Sequence, residues 1–134
     1  MFDLSKEIPL SHLELDKFII DLYQNKILRI QIKQDKIVVL NDLSLVLSYI
    51  DSWKQGPYLN LFVFHKYSNT DDEVRNWASD PNGNKNTIAD AIVIKGGLDQ
   101  KLLSNAYMKF HNPVKPTCVF DNENKAVEWL LKQN

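Results

Sequence analysis

The hydrophobic pattern changes period several times along the chain, and each change predicts an element. Leu28, Ile30 and Ile32 alternate with Arg29, Gln31 and Lys33, the two-residue period of a strand with one buried face. Phe18-Ile19-Ile20 precedes this run across Gln24-Asn25-Lys26, so together they predict a β-hairpin. Ile37-Val38-Val39-Leu40 is a third short apolar run that either extends the sheet or leads into the next helix. Leu43, Val46, Leu47, Ile50 and Trp53 then recur at helical spacing, with Asn41 or Asp42 as the expected cap and Gly56-Pro57 as the stop. Tyr58 to Phe64 is nearly continuously apolar, the pattern of a strand covered on both faces, and belongs in the middle of the sheet.

The second half repeats the alternation of strands and helices. Thr70-Asp71-Asp72-Glu73 has capping-box spacing, and the helix it opens turns Val74, Trp77 and Ala78 inward. Asp80-Pro81-Asn82-Gly83-Asn84 breaks that helix ahead of a strand from Ile88 to Ile94. Gly96-Gly97 opens a helix burying Leu98, Leu102, Leu103, Ala106, Tyr107 and Phe110, closed by His111-Asn112-Pro113. Thr117 to Phe120 is a further strand, and Asp121 is the expected cap of a last helix with Ala126, Val127, Leu130 and Leu131 on one face. Residues 1–16 alternate single apolar side chains with charges around Pro9 and read as an arm that packs loosely or helps a partner. The class is therefore α/β: one domain over residues 1–134, an N-terminal β-hairpin followed by αβαβαβα, and a mixed central sheet with flanking helices whose later strands run parallel.

Composition narrows the function classes. At 134 residues the chain buries a core without disulfides or metal. Sixteen lysines and arginines against 17 aspartates and glutamates leave a net charge of -1, which argues against a nucleic-acid binder. No run reaches membrane-spanning length and the first residues lack a signal-peptide pattern, so a cytoplasmic location is expected. Cys118, alone and flanked by Val119 and Phe120, reads as a small core hydrophobe.

The strand Ile88 to Ile94, the helix around Leu102-Leu103-Ser104-Asn105-Ala106-Tyr107-Met108-Lys109-Phe110, the Asn112-Pro113 stop, the Pro116-Thr117-x-x-Phe120 strand and the closing Ala126-Val127-Glu128-Trp129-Leu130 resemble the C-terminal signature of small bacterial STAS-like (SpoIIAA-like) proteins. The likeness covers about the last third of the chain closely, and the earlier part only in element order. It implies a non-enzymatic interaction or ligand-binding module, in some members switched by serine phosphorylation at the start of a helix. Here the corresponding turn, His65-Lys66-Tyr67-Ser68-Asn69-Thr70, lacks the Asp-Ser-Ser-Gly pattern of the phosphorylated domains, so Ser68 and Thr70 are positional candidates and the switch is not implied.

Candidate chemistry gathers at the carboxyl ends of the parallel strands, where α/β sheets collect ligands. Gly96-Gly97, with Lys95 before and Leu98 after, forms a βα turn whose amides can face an anion, although the spacing matches no phosphate-binding fingerprint. His65, Ser68 and Thr70 follow the neighbouring strand at that same edge. Asp80 to Asn84 opens like a calcium loop, but Lys85 and Ala91 stand where glycine and glutamate are required. His12, His65 and His111 are too far apart in sequence for a metal set, and Cys118 is a poor nucleophile. Trp53, Trp77 and Trp129 read as core or half-buried helix positions. The expectation is a non-enzymatic module without cofactor, binding a protein partner or a small ligand at His65, Ser68, Thr70, Lys95, Gly96, Gly97 and Leu98. The alternative is an apolar ligand, such as a fatty acyl group, held between the sheet and the helix carrying Leu102, Tyr107 and Phe110. An open hairpin edge also allows a homodimer.

Overall fold

The computed structural model describes residues 3–80, 86–95 and 115–134. Gly96, Gly97 and Leu98, the expected helix running on to Phe110, and positions 81–84 of the expected turn lie outside the described residues. Among the described residues eight strands are formed: β1 (Ser11–Glu14), β2 (Phe18–Leu22), β3 (Ile27–Ile32), β4 (Ile37–Val38), β5 (Tyr58–Phe64), β6 (Asn69–Thr70), β7 (Thr87–Ile94) and β8 (Thr117–Phe120). The helices are α1 (Leu40–Ser52), α2 (Asp72–Ser79) and α3 (Glu123–Leu131).

Six strands make one mixed sheet in the order β1-β2-β3-β5-β7-β8. β1, β2 and β3 are antiparallel, whereas β3, β5, β7 and β8 run parallel. The hairpin between β2 and β3 closes through Asn25 and Lys26, both with left-handed backbone, a conformation asparagine adopts more readily than most residues. Strand β5 sits between β3 and β7, which explains its continuous apolar run. Helices α1 and α2 link parallel strands that advance in one direction across the sheet, and they share one face, as connections of a single hand require.

The alternation in β5 divides the core in two. Tyr58, Phe62 and Phe64 point toward α1 and α2, where they meet Phe18, Ile20, Ile30, Ile32, Val46, Ile50 and Val74. Leu59, Leu61 and Val63 point to the opposite face and pack with Ala89, Ala91 and Val93 against Ala126, Val127 and Leu130 of α3. The small alanines of β7 let α3 approach closely. The Tyr58 hydroxyl donates to the Ile50 carbonyl at 2.9 Å, tying the end of α1 to the sheet.

Several local expectations are corrected. Part of the arm is ordered as β1, because Leu13 faces Ile20 in register and reaches the core while His12 lies opposite Asp21. The run Ile37 to Leu40 leads into α1, which starts at Leu40, as one of its two readings has it, but Ile37-Val38 first pairs with Asn69-Thr70 in a separate parallel ribbon and does not extend the main sheet. Helix α1 begins after Val39, which has no side-chain oxygen to offer; Asp42 instead reaches back from the first turn to the Val39 N–H at 2.9 Å. Thr70 is held in β6, so Asp71 caps α2 by accepting from the Val74 N–H at 3.0 Å. Asn122, one residue beyond Asp121, caps α3 by accepting from the Lys125 N–H at 3.1 Å. In these last two caps neighbouring residues that can both cap competed, and the first residue of the helix decided between them.

Candidate functional site

The loop after β5 is tightly held. Ser68 is buried, and its Oγ donates to the His65 carbonyl at 2.8 Å, closing the turn. His65 Nε2 lies 3.0 Å from Gln31 Oε1. Lys95, directly after β7, places Nζ 2.7 Å from Glu123 Oε2 at the start of α3, and Arg29 approaches the same carboxylate through Nε (2.7 Å) and Nη2 (3.1 Å). Burial pushes the Glu123 carboxyl up, but the hydrogen bonds from Arg29 and Lys95 outweigh it and leave the group below its ordinary value. Burial lowers the His65 pKa, and the Lys95 and Arg29 charges lower it further, so this imidazole is neutral near pH 7.

The predicted edge site therefore divides. His65 and Lys95 come together with Arg29 and Glu123 on the α3 face, in a network where two cations share the one Glu123 carboxylate. Thr70 goes to the other face, where its carbonyl accepts from Arg75, and Ser68 is spent on its own turn. Between the edge strand β1 and its neighbour β2, His12 Nδ1 and Asp21 Oδ1 share a hydrogen bond, with Asp21 buried. Among the described residues no three His, Cys, Asp or Glu side chains are grouped to hold a metal ion, and no helix is long and apolar enough to cross a membrane.

The feature that composition and motif do not reveal is a cavity between the sheet and helices α1 and α2. It measures about 110 Å³ and is walled largely by Phe18, Ile30, Ile32, Val46, Phe62, Phe64, Val74 and Trp77, with Thr70, Arg75, Asp90 and Thr117 as polar members. A second void of about 220 Å³ shares Ile30, Leu43, Val46, Phe62 and Trp77 with the first and reaches Asn60 and Thr87. The two volumes form an apolar space with polar groups on its sheet side, the usual composition of a small-molecule pocket.

Those polar groups are aligned by strand register. Asn60 of β5 lies opposite Asp90 of β7, and Asp90 opposite Thr117 of β8. Asn60 Nδ2 donates to Asp90 Oδ1 at 3.0 Å and to Thr87 Oγ1 at 2.9 Å. Asn60 Oδ1 is buried and accepts no hydrogen bond. Burial pushes the Asp90 carboxyl up to about 6, against the opposing pull of the Asn60 hydrogen bond and the Lys115 charge. Lys115 is itself lowered by burial, with Asp90 acting against that shift. Asn60 and Asp90 were absent from the sequence-based candidates. The signal was present, since each is a lone polar residue interrupting an otherwise apolar strand.

Residues 21–134 match the family described as Domain of unknown function (DUF7793). The chain belongs to the DUF7793 family. Comparison with curated proteins and with solved structures finds no match. The match begins inside β2, so β3 to β8, the Asn60–Asp90 pair and the cavity-lining residues other than Phe18 fall within the DUF7793 region, while β1 and the first residues of β2 precede it.

Proposed function

We propose that this DUF7793 domain is a non-catalytic, STAS-like module of the cytoplasm that binds a small, mostly apolar molecule between its sheet and helices α1 and α2. The observation that carries this reading is the cavity walled by Ile30, Val46, Phe62, Val74 and Trp77. Well-packed cores leave few voids larger than a water molecule, and an apolar cavity of about 150 Å³ is sufficient to bind benzene. The neighbouring void, at about 220 Å³, exceeds that scale. The order of elements and the parallel strands β3, β5, β7 and β8 support kinship with STAS-like domains at the level of fold, which by itself assigns no chemistry.

A binding role without catalysis is supported by how the polar groups near the cavity are engaged. The Thr117 hydroxyl donates to the Lys115 carbonyl at 2.9 Å instead of facing a base. The Asn60 amide hydrogens are both committed. No cofactor is needed for such a role, and the balanced charge favours neither nucleic acid nor a membrane surface as partner. The test is a methyl-resolved NMR titration of the intact chain with benzofuran, a rigid apolar probe of the right size. Saturable shifts confined to Ile30, Val46 and Val74 support the reading. Unchanged spectra, or shifts scattered over exposed Ile8 and Leu10, refute it.

A further inference from the structure

Asn60 distinguishes this cavity from a simple packing void. The residue is 5% exposed, and its two amide hydrogens point to Asp90 Oδ1 and Thr87 Oγ1. This fixes the orientation of the amide, because exchanging its ends would set Oδ1 against the Asp90 carboxyl oxygen. Asn60 borders the second void, and its Oδ1 is buried with no donor. The Tyr58 hydroxyl, on the same face, is already committed to the Ile50 carbonyl.

We propose, building on the cavity reading above, that the site selects a compact apolar molecule carrying one hydrogen-bond donor, an N–H or O–H group, directed at Asn60 Oδ1. A buried acceptor left unsatisfied is costly, and a ligand that satisfies it recovers that cost. The same geometry disfavours an acceptor or anionic head at this position, since Oδ1 and the neighbouring Asp90 carboxyl both repel lone pairs. An aromatic amine, an indole or a compact alcohol carries such a donor, which a fatty acid carboxylate lacks.

Indole and benzofuran provide the test because they share a shape and differ in an N–H against an ether oxygen. Titrated separately into the intact chain, indole is expected to bind about tenfold more tightly, and its N–H proton to show a nuclear Overhauser contact with the Asn60 amide. Asn60→Leu is expected to bring the ratio of the two affinities to about one. Equal affinities in the unmodified protein, or tighter binding of benzofuran, overturn donor selection while leaving the cavity reading in place. Binding of neither probe overturns both. The comparison in the unmodified protein decides the matter even if the variant does not fold.

Discussion

The most direct perturbation of the buried polar cluster is Asp90→Asn. The substitution keeps an oxygen where Asn60 Nδ2 donates and removes the ionisable group. Burial raises Asp90 from 3.8 to about 6, and roughly two pH units at about 1.4 kcal/mol each correspond to about 3 kcal/mol. The sign follows from proton linkage. Below about pH 4 the carboxyl is protonated in both folded and unfolded chains, and it imposes no ionic penalty. Between about pH 4 and 6 the unfolded chain ionises while the folded one resists, so wild-type stability falls as pH rises, and the loss is complete just above pH 6. Glu123, Asp42 and His65 also titrate differently on folding, but they are present in both proteins and cancel in the difference. Urea unfolding of the two proteins from pH 4 to 7.5 should show similar stability at the acid end and an advantage for Asp90→Asn that grows to about 3 kcal/mol by pH 7. A difference that stays flat across this range refutes the assignment of a buried, proton-retaining Asp90.

Two further substitutions test the cavity and the α3 face. Val46 is 2% exposed and borders both voids, so Val46→Ile should fill space without strain, raising stability by up to about 0.8 kcal/mol and weakening benzofuran binding; a lower urea midpoint would show that the space is not there. Glu123→Gln removes the carboxylate shared by Arg29 and Lys95, whose pairing lies between the exposed and fully buried regimes, and should cost about 1–2 kcal/mol. Because the folded Glu123 pKa lies below its ordinary value, that deficit should be present above about pH 4.5 and vanish as pH falls through the folded pKa, which the same urea series measures.

The sequence made the architecture legible wherever a periodic pattern ran for long enough. The six-residue alternation of β3, the unbroken run of β5 and the helical spacing of Val46 and Ile50 each correspond to an observed element with the expected buried face. Short segments were not legible, for physical reasons. Strand β1 has only Leu13 as a clearly inward residue over four positions, so its assignment depends on the partner strand and not on its own pattern. Asn69-Thr70 forms a strand only because Lys36 and Val38 supply carbonyls for its ladder. In the same way, Asp71 and not Thr70 caps α2, because the helix starts at Asp72 after Thr70 has paired in β6.

The candidate site was legible in part only, and the difference lies in what a linear pattern can encode. The carboxyl ends of parallel strands can be counted along a sequence, and so His65 and Lys95 were placed at one edge; the structure then shows that Glu123 answers Lys95, a partner 28 positions away that no local motif announces. A cavity is further from reach, because it is set by volumes that fail to meet across a helix–sheet interface. What the sequence does contain is the exception to its own rule. Asn60 and Asp90 each interrupt an apolar strand, and register makes them neighbours. A polar residue in a buried strand is retained against a desolvation cost, and two of them facing one another offset part of that cost through a mutual hydrogen bond. That bond employs the hydrogens of Asn60 and leaves its oxygen over, so the pair is better matched to a donor arriving from outside the chain than to the fold alone.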